Sequence, residues 1–285
     1  MLSDAPPTRR ALLAEIAAVL AAGGIAEPRR EALRLWTALR DTAAADVVVD
    51  GHLTEEPGST EVIRRAAHRR AAGEPLAHVA GSAGFRTLVL ASDRRALIPR
   101  PETEGLVDLL LPRVRTGRLA DIGTGSGCLA LSLAVEGGYS EVCAVDVSAD
   151  ALALAAENAA ALGASVRLIR GDLCEPLRTA SLDAMVSNPP YLSAAEYASL
   201  DPSVRLWEPA AALVGGLDGL EATTRLLEES RRVLRPGGWL AMELDCSRAA
   251  RTAAAAGALG WMDVAIHADL FGRARYLLAR RSASP

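Results

Sequence analysis

Apolar residues recur at helical spacing in three segments near the N-terminus. Leu12, Leu13, Ile16, Val19 and Leu20 lie within Thr8–Ala22, and similar periods run through Pro28–Arg40 and Thr60–Ala72. Boundary signals frame them: Gly23-Gly24 closes the first, Pro28 opens the second and Gly73 closes the third. They predict a small helical N-terminal domain over residues 1–74. Between Pro75 and Arg95 the pattern becomes Gly81, Gly84 and Thr87-Leu88-Val89-Leu90, which predicts a β-hairpin linker over 75–95. From Ala96 to the end, 96–285, strand-type and helix-type segments alternate. Strands are expected at Arg118–Ile122, Glu141–Asp146, Val166–Arg170, Ala184–Ser187 and Trp239–Glu243, with a weaker pair at Met262–Ile266 and Arg275–Ala279. Helices are expected at Glu102–Leu111, Cys128–Ala134, Ala149–Ala161, Leu220–Leu234 and Ser247–Ala258. This alternation predicts an α/β domain with a mainly parallel sheet and helices on both faces. Ligands of such sheets sit beyond the carboxyl ends of the strands, so the loops there carry the chemistry.

Composition narrows the function classes. The 285 residues suffice for about two domains, and 50% hydrophobic with 23% charged residues excludes a disordered chain. The net charge is −4 and the cations are all arginine, which disfavours a bulk polyanion binder; Arg64, Arg65, Arg69 and Arg70 around His68 read as a solvated face. Glu15 interrupts the first apolar segment, so an amphipathic helix is expected there rather than an export signal, and no run approaches a membrane span. The four cysteines and four histidines show no ligand spacing. No metal is expected, and the thiols read as reduced structural ones of a cytoplasmic protein. Glutamine and lysine are absent and asparagine occurs only at Asn158 and Asn188, which singles out those two positions.

Each strand ends in a loop with its own chemistry. Asp121-Ile122-Gly123-Thr124-Gly125-Ser126-Gly127 follows the first strand and precedes an apolar helix. Its glycines admit a ligand close to the backbone, but the spacing is neither that of a dinucleotide turn nor that of a phosphate loop. Asp146 ends the second strand, where a carboxylate accepts from both hydroxyls of a ribose; a helix N-cap for the segment from Ala149 is the alternative role. Asp172, followed by Leu173, ends the third, where a carboxylate accepts from an exocyclic adenine amine. A nucleoside without charged phosphates fits this set, which favours S-adenosylmethionine over a nicotinamide cofactor. The fourth strand runs into Asn188-Pro189-Pro190-Tyr191. Two prolines remove two N–H donors, so the Asn188 amide oxygen and the Pro189 carbonyl form an acceptor site for an –NH₂ group, with Tyr191 as a flat face.

Asn188–Tyr191 is similar to the NPPY motif of methyltransferases acting on nitrogens of planar systems. Upstream, Ile98-Pro99-Arg100-Pro101-Glu102-Thr103-Glu104 resembles the IPRPETE segment of the peptide chain release factor glutamine methyltransferases, the HemK family. Phe85, Glu208-Pro209, Arg235-Pro236-Gly237-Gly238, Asp269-Leu270 and Gly272-Arg273 also fall where that family has similar residues, so the resemblance spans nearly all of 8–280. It implies a seven-stranded Rossmann-like methyltransferase sheet with a helical substrate-docking domain. The implied reaction moves a methyl from S-adenosylmethionine to the side-chain amide nitrogen of a glutamine in the GGQ-containing domain of a release factor, leaving S-adenosylhomocysteine. The implied cofactor residues are Asp121, Ile122, Gly123, Thr124, Gly125, Asp146, Asp172, Leu173 and Asn188. Asn188, Pro189 and Tyr191 would be catalytic; Pro190, Arg100 and Phe85 would join them in holding the substrate. A monomer in the cytoplasm, with no membrane and no nucleic-acid partner, is expected.

One departure stands out. Glu243-Leu244-Asp245 keeps the glutamate of the family's Glu-Ile-Gly but puts Asp245 in place of the glycine. A paralogue acting on another amide or amine is therefore an alternative. An adenine-N6 nucleic-acid methyltransferase would use the same loop on a flipped base, but should carry a basic recognition region. A non-catalytic S-adenosylmethionine-binding regulator is a further class, disfavoured by the intact acceptor loop.

Overall fold

The structure is a computed structural model that describes residues 6–40 and 42–283. The chain divides into two compact units, one of residues up to Ser82 with Pro202–Trp207, the other of Ala83–Asp201 with Glu208 onward.

The first unit is built from α1 (Arg9–Ala22), α2 (Pro28–Arg40), α3 (Ala44–Val49), α4 (Pro57–Ala71) and α5 (Leu76–Ala80). Thr8 caps α1, its hydroxyl accepting from the Ala11 N–H at 3.2 Å. The apolar stripes of α1, α2 and α4 meet in one core containing Leu12, Ile16, Leu20, Leu35, Trp36 and Ile63. The arginines of α4 do not form a free basic face. Arg64 pairs with Glu15 at 2.6 Å, Arg70 with Glu31 at 2.7 Å, Arg69 with Glu74 at 2.5 Å and Arg65 with Glu61 at 3.9 Å.

The second unit opens with a hairpin, β1 (Ser82–Phe85) and β2 (Leu88–Ala91). After it come α6 (Glu104–Leu110), β3 (Thr116–Ile122), α7 (Cys128–Glu136), β4 (Gly138–Asp146), α8 (Ala149–Leu162), β5 (Arg167–Arg170) and β6 (Leu182–Ser187). The helices α9 (Ala194–Ala198) and α10 (Pro202–Arg205), the latter part of the first unit, precede α11 (Glu221–Val233), β7 (Leu234–Glu243), α12 (Ala249–Ala258), β8 (Trp261–Ala268) and β9 (Ala274–Arg281). The sheet order is β5-β4-β3-β6-β7-β9-β8. β5, β4, β3, β6 and β7 run parallel, and β9 is antiparallel to both β7 and β8. Alternate residues of the central strands serve opposite cores. Ala120, Ile122, Met185, Leu240 and Met242 pack with Leu226 and Leu227 of α11, whereas Leu119, Ala184, Val186 and Ala241 pack with Leu106, Leu110, Leu129 and Leu133 of α6 and α7. Both faces of the sheet are covered, so β3, β4 and β6 read as continuous apolar runs.

Three expectations need correction. The segment 75–95 is not a free linker: it holds α5, and Phe85, Leu88 and Leu90 of its hairpin are buried in the core under α6 and α7. The expected helices Glu102–Leu111 and Ser247–Ala258 each open with a 3₁₀ turn, Pro101–Thr103 and Cys246–Arg248. The short helices α3, α5, α9 and α10 leave no signal in the sequence, because four to six residues show no helical period. No helix among the described residues is long and apolar enough to cross a membrane.

Candidate active site

A cavity of about 320 Å³ opens at the carboxyl ends of β3, β4, β5 and β6. Its floor is the turn after β3. Gly123 and Gly125 adopt φ of 71° and 56°, which side chains disfavour, and open space lies where a Cβ on Gly123 would stand. Two acids hold this turn. Asp121 Oδ2 accepts from the Thr124 hydroxyl at 2.6 Å and from the Ala130 N–H at 3.1 Å, stapling the turn to the start of α7. Asp121 is wholly buried and its Oδ1 has no partner. Burial pushes its pKa up to about 7. Asp146 Oδ2 accepts from the Gly125 N–H and Oδ1 from the Ser148 N–H, both at 2.9 Å. Asp146 is not the cap of α8; Ser148 is, accepting from Ala151 N.

Asp172 and Leu173 line the same cavity from the end of β5. Asp172 pairs with Arg225 at 2.8 Å. The three arginines of the cavity wall are all countered by carboxylates: Arg95 by Asp93 and Glu157, Arg100 by Glu208, and Arg225 by Asp172 and Glu229. A polyphosphate finds no uncompensated cation there. A cationic nucleoside finds carboxylate lone pairs on Asp146 and Asp172, so these residues fit S-adenosylmethionine.

Opposite the turn stands the loop after β6. The Ser187 hydroxyl donates to the Ile122 carbonyl at 2.7 Å, locking the ends of β6 and β3 together. Asn188 and Pro190 line the cavity. The segment Leu213–Gly215 lies against this loop, with Leu192 N donating to Leu213 O and Gly215 N to Leu192 O, each at 2.9 Å. A Cβ at Gly215 would collide with the Pro190 carbonyl, so only glycine permits this approach. The Asn188 Nδ2 donates to the Thr103 hydroxyl at 3.0 Å, and Thr103 donates to Glu243 Oε2 at 2.7 Å. Tyr191 donates its hydroxyl to Glu243 Oε1 at 3.2 Å. Burial raises the pKa values of both Tyr191 and Glu243.

The segment 98–104 frames one wall. The Ile98 N–H donates to Glu208 Oε2 at 3.0 Å, and Arg100 donates to Glu208 Oε1 at 2.5 Å. The Tyr276 hydroxyl donates to the Glu102 carbonyl, and Glu104 accepts from the Arg86 N–H at 2.9 Å. The IPRPETE run is thus anchored at Ile98, Arg100, Glu102 and Glu104.

Two family models match the chain: the PrmC N-terminal domain over residues 11–81 and the Methyltransferase small domain over 102–210. The release factor glutamine methyltransferase of Deinococcus radiodurans is 39% identical over 276 residues, covering 96% of this chain and 98% of that protein. The chain belongs to the release factor glutamine methyltransferase family. A second family member, from Nitratidesulfovibrio vulgaris, is 44% identical over 221 residues, 75% of either protein. The crystal structure of a methyltransferase from Pyrococcus furiosus shares the fold, with a TM-score of 0.51 and 21% identity over 68% of this chain and 88% of that one.

Of the residues expected at the site of such a methyltransferase, Gly123, Thr124, Gly125, Asp146, Asp172, Leu173, Asn188, Pro190 and Arg100 come together around the cavity. Five lie elsewhere. Asp121 and Ile122 are buried beneath the turn, and Phe85 is 1% exposed in the core with Leu106, which corrects its expected contact with substrate. Pro189 is buried, and Tyr191 turns its hydroxyl to Glu243 and lies outside the cavity wall rather than offering it a flat face. Sequence reasoning assigned no role to Thr103, Glu208 or Glu243, although all three belong to the segments that carry the resemblance. Asp245 does not enter the cavity. Its carboxylate accepts from the Ser247 N–H at 2.9 Å and pairs with Arg248 at 3.2 Å, capping the 3₁₀ turn that precedes α12.

Proposed function

We propose that this protein methylates the side-chain amide nitrogen of a glutamine in a peptide chain release factor, in the cytoplasm, with S-adenosylmethionine as donor. The observation that carries the reading is the orientation of Asn188: its NH₂ is tied to Thr103, which leaves its amide oxygen free at the cavity that also holds the glycine turn and Asp146. Bound at the turn, the cofactor supplies an electrophilic sulfonium methyl. Asp146 would accept from its ribose hydroxyls, and Asp172 from its adenine amine. An amide nitrogen is a weak nucleophile because its lone pair is delocalised into the carbonyl. The Asn188 oxygen would accept from its NH₂, favouring the positive charge that develops on nitrogen during attack. Holding nitrogen and methyl in line contributes up to about 7–11 kcal/mol in well-oriented systems. Pro189 and Pro190 fix the backbone of the loop so that its acceptors need no reorganisation. Incubation with a purified release factor and methyl-labelled S-adenosylmethionine tests the reading. Label in the release factor supports it; label only in a nucleic acid or a small amine contradicts it.

A further inference from the structure

The hydrogen bonds that join Asn188 to the end of β7 have a direction, and the acceptor at their far end sets it. Glu243 is 2% exposed, and its carboxylate accepts from both Thr103 and Tyr191. With Oε1 accepting from Tyr191 and Oε2 from Thr103, the single hydroxyl hydrogen of Thr103 is spent on Oε2. The remaining lone pairs of that hydroxyl face Asn188 and accept only a donor. Of the two ends of the Asn188 amide, only the NH₂ satisfies them. The two ends of an asparagine amide are nearly alike in shape, and a reversed amide would present N–H donors to the hydrogens of the substrate –NH₂. Burial raises the Glu243 pKa against the donation by Thr103 and Tyr191 and the nearby Arg275 charge, so the direction rests on the geometry, in which both Glu243 oxygens accept.

We infer that Thr103 and Glu243 are positioning residues for methyl transfer: they fix the Asn188 amide with its oxygen, not its NH₂, toward the substrate. The inference rests on the reading that Asn188 receives the substrate amide. Thr103 itself is placed by the anchors of its segment, with Pro101 opening the 3₁₀ turn and Tyr276 holding the Glu102 carbonyl.

The composition supplies an unusually direct test. With two asparagines and no glutamine in the chain, the side-chain NH₂ region of a ¹H–¹⁵N spectrum contains two signal pairs, Asn158 and Asn188. Asn188→Ala identifies which is which. Asn158, bonded to the Ala91 and Ser126 carbonyls, is the internal reference. Thr103→Val should shift the Asn188 pair and speed its exchange with water, leaving the Asn158 pair in place, and Thr103→Ser should restore the wild-type position. Glu243→Gln should also move the Asn188 pair and add a third pair of its own, which keeps the test open if Thr103→Val folds poorly. In turnover, Thr103→Val should lower kcat about 5- to 30-fold, the equivalent of one hydrogen bond, with cofactor affinity unchanged. In an Asn188→Ala background the same change should cost nothing further, because Thr103 acts through Asn188. An unmoved Asn188 pair, or an equal loss of kcat in the Asn188→Ala background, overturns the inference. Should the wild-type protein transfer no methyl to a release factor, the reading of its function fails, and the two amide pairs still decide whether Thr103 and Glu243 hold Asn188.

Discussion

At the scale of single residues, Asn188 and Asp121 carry opposite burdens. Asn188 should be dispensable for folding and decisive for turnover: Asn188→Ala is expected to lower kcat by about 10²–10³, by analogy with losing one preorganised group that stabilises developing charge, and to weaken cofactor binding much less. Steady-state kinetics beside calorimetric titration separates the two effects. Asp121 has a destabilising side. Its folded pKa of about 7 lies above the ordinary 3.8 because burial disfavours the charge. A carboxyl raised in this way contributes most stability below its unfolded value and loses that contribution as pH climbs from 3.8 to about 7. Asp121→Asn keeps an acceptor for Thr124 and Ala130 and removes the charge. Its melting temperature should be less sensitive to pH across that window and higher than wild type at pH 8, while its affinity for the cationic cofactor falls. Thermal unfolding across the pH range, with a titration at pH 8, checks both. Asn188 was legible in the sequence because asparagine is so rare in this chain. The burial of Asp121 was not: the alternation of β3 puts it on the α7 face, but only the packing of α7 shows that no solvent reaches it.

Elements were legible where they are long or where a motif marks them. The central strands came through as apolar runs and the major helices as periods, because each buries a face. The short helices did not, since they are set by contacts made after the chain has folded. The second rare asparagine belongs to this scale. Asn158, on α8, accepts from the Ala91 N–H at 2.6 Å and donates to the Ala91 and Ser126 carbonyls at 3.2 and 2.9 Å. It ties the hairpin strand β2 to the glycine turn. Asn158→Ala leaves those backbone groups unpaired and should cost about 1–3 kcal/mol in urea unfolding. It should also weaken cofactor binding, since Ser126 belongs to the turn. The hairpin read from the sequence as a linker is therefore part of the site's scaffold.

At the scale of the whole molecule, the helical unit has its own core around Trp36. A docking role for it predicts a division of labour. Removing residues 1–81 should leave cofactor affinity close to wild type and reduce kcat/KM on an intact protein substrate at least about tenfold, the loss of roughly 1.4 kcal/mol of binding. An unchanged kcat/KM would refute docking. The two-unit organisation was visible in the change of periodicity near residue 75, but the position of the boundary was not, because the hairpin's apolar residues look the same whether they face a linker or a core.

The central claim is that the Asn188 loop delivers a methyl group to a glutamine amide. Site-resolved mass spectrometry of a release factor, after reaction with this protein and S-adenosylmethionine, measures that most directly. The expected result is one added methyl on the side-chain nitrogen of a single glutamine, formed about 10²–10³-fold more slowly by Asn188→Ala in a protein that still binds the cofactor. A methyl on any other residue type, or an undiminished yield from Asn188→Ala, would contradict the account.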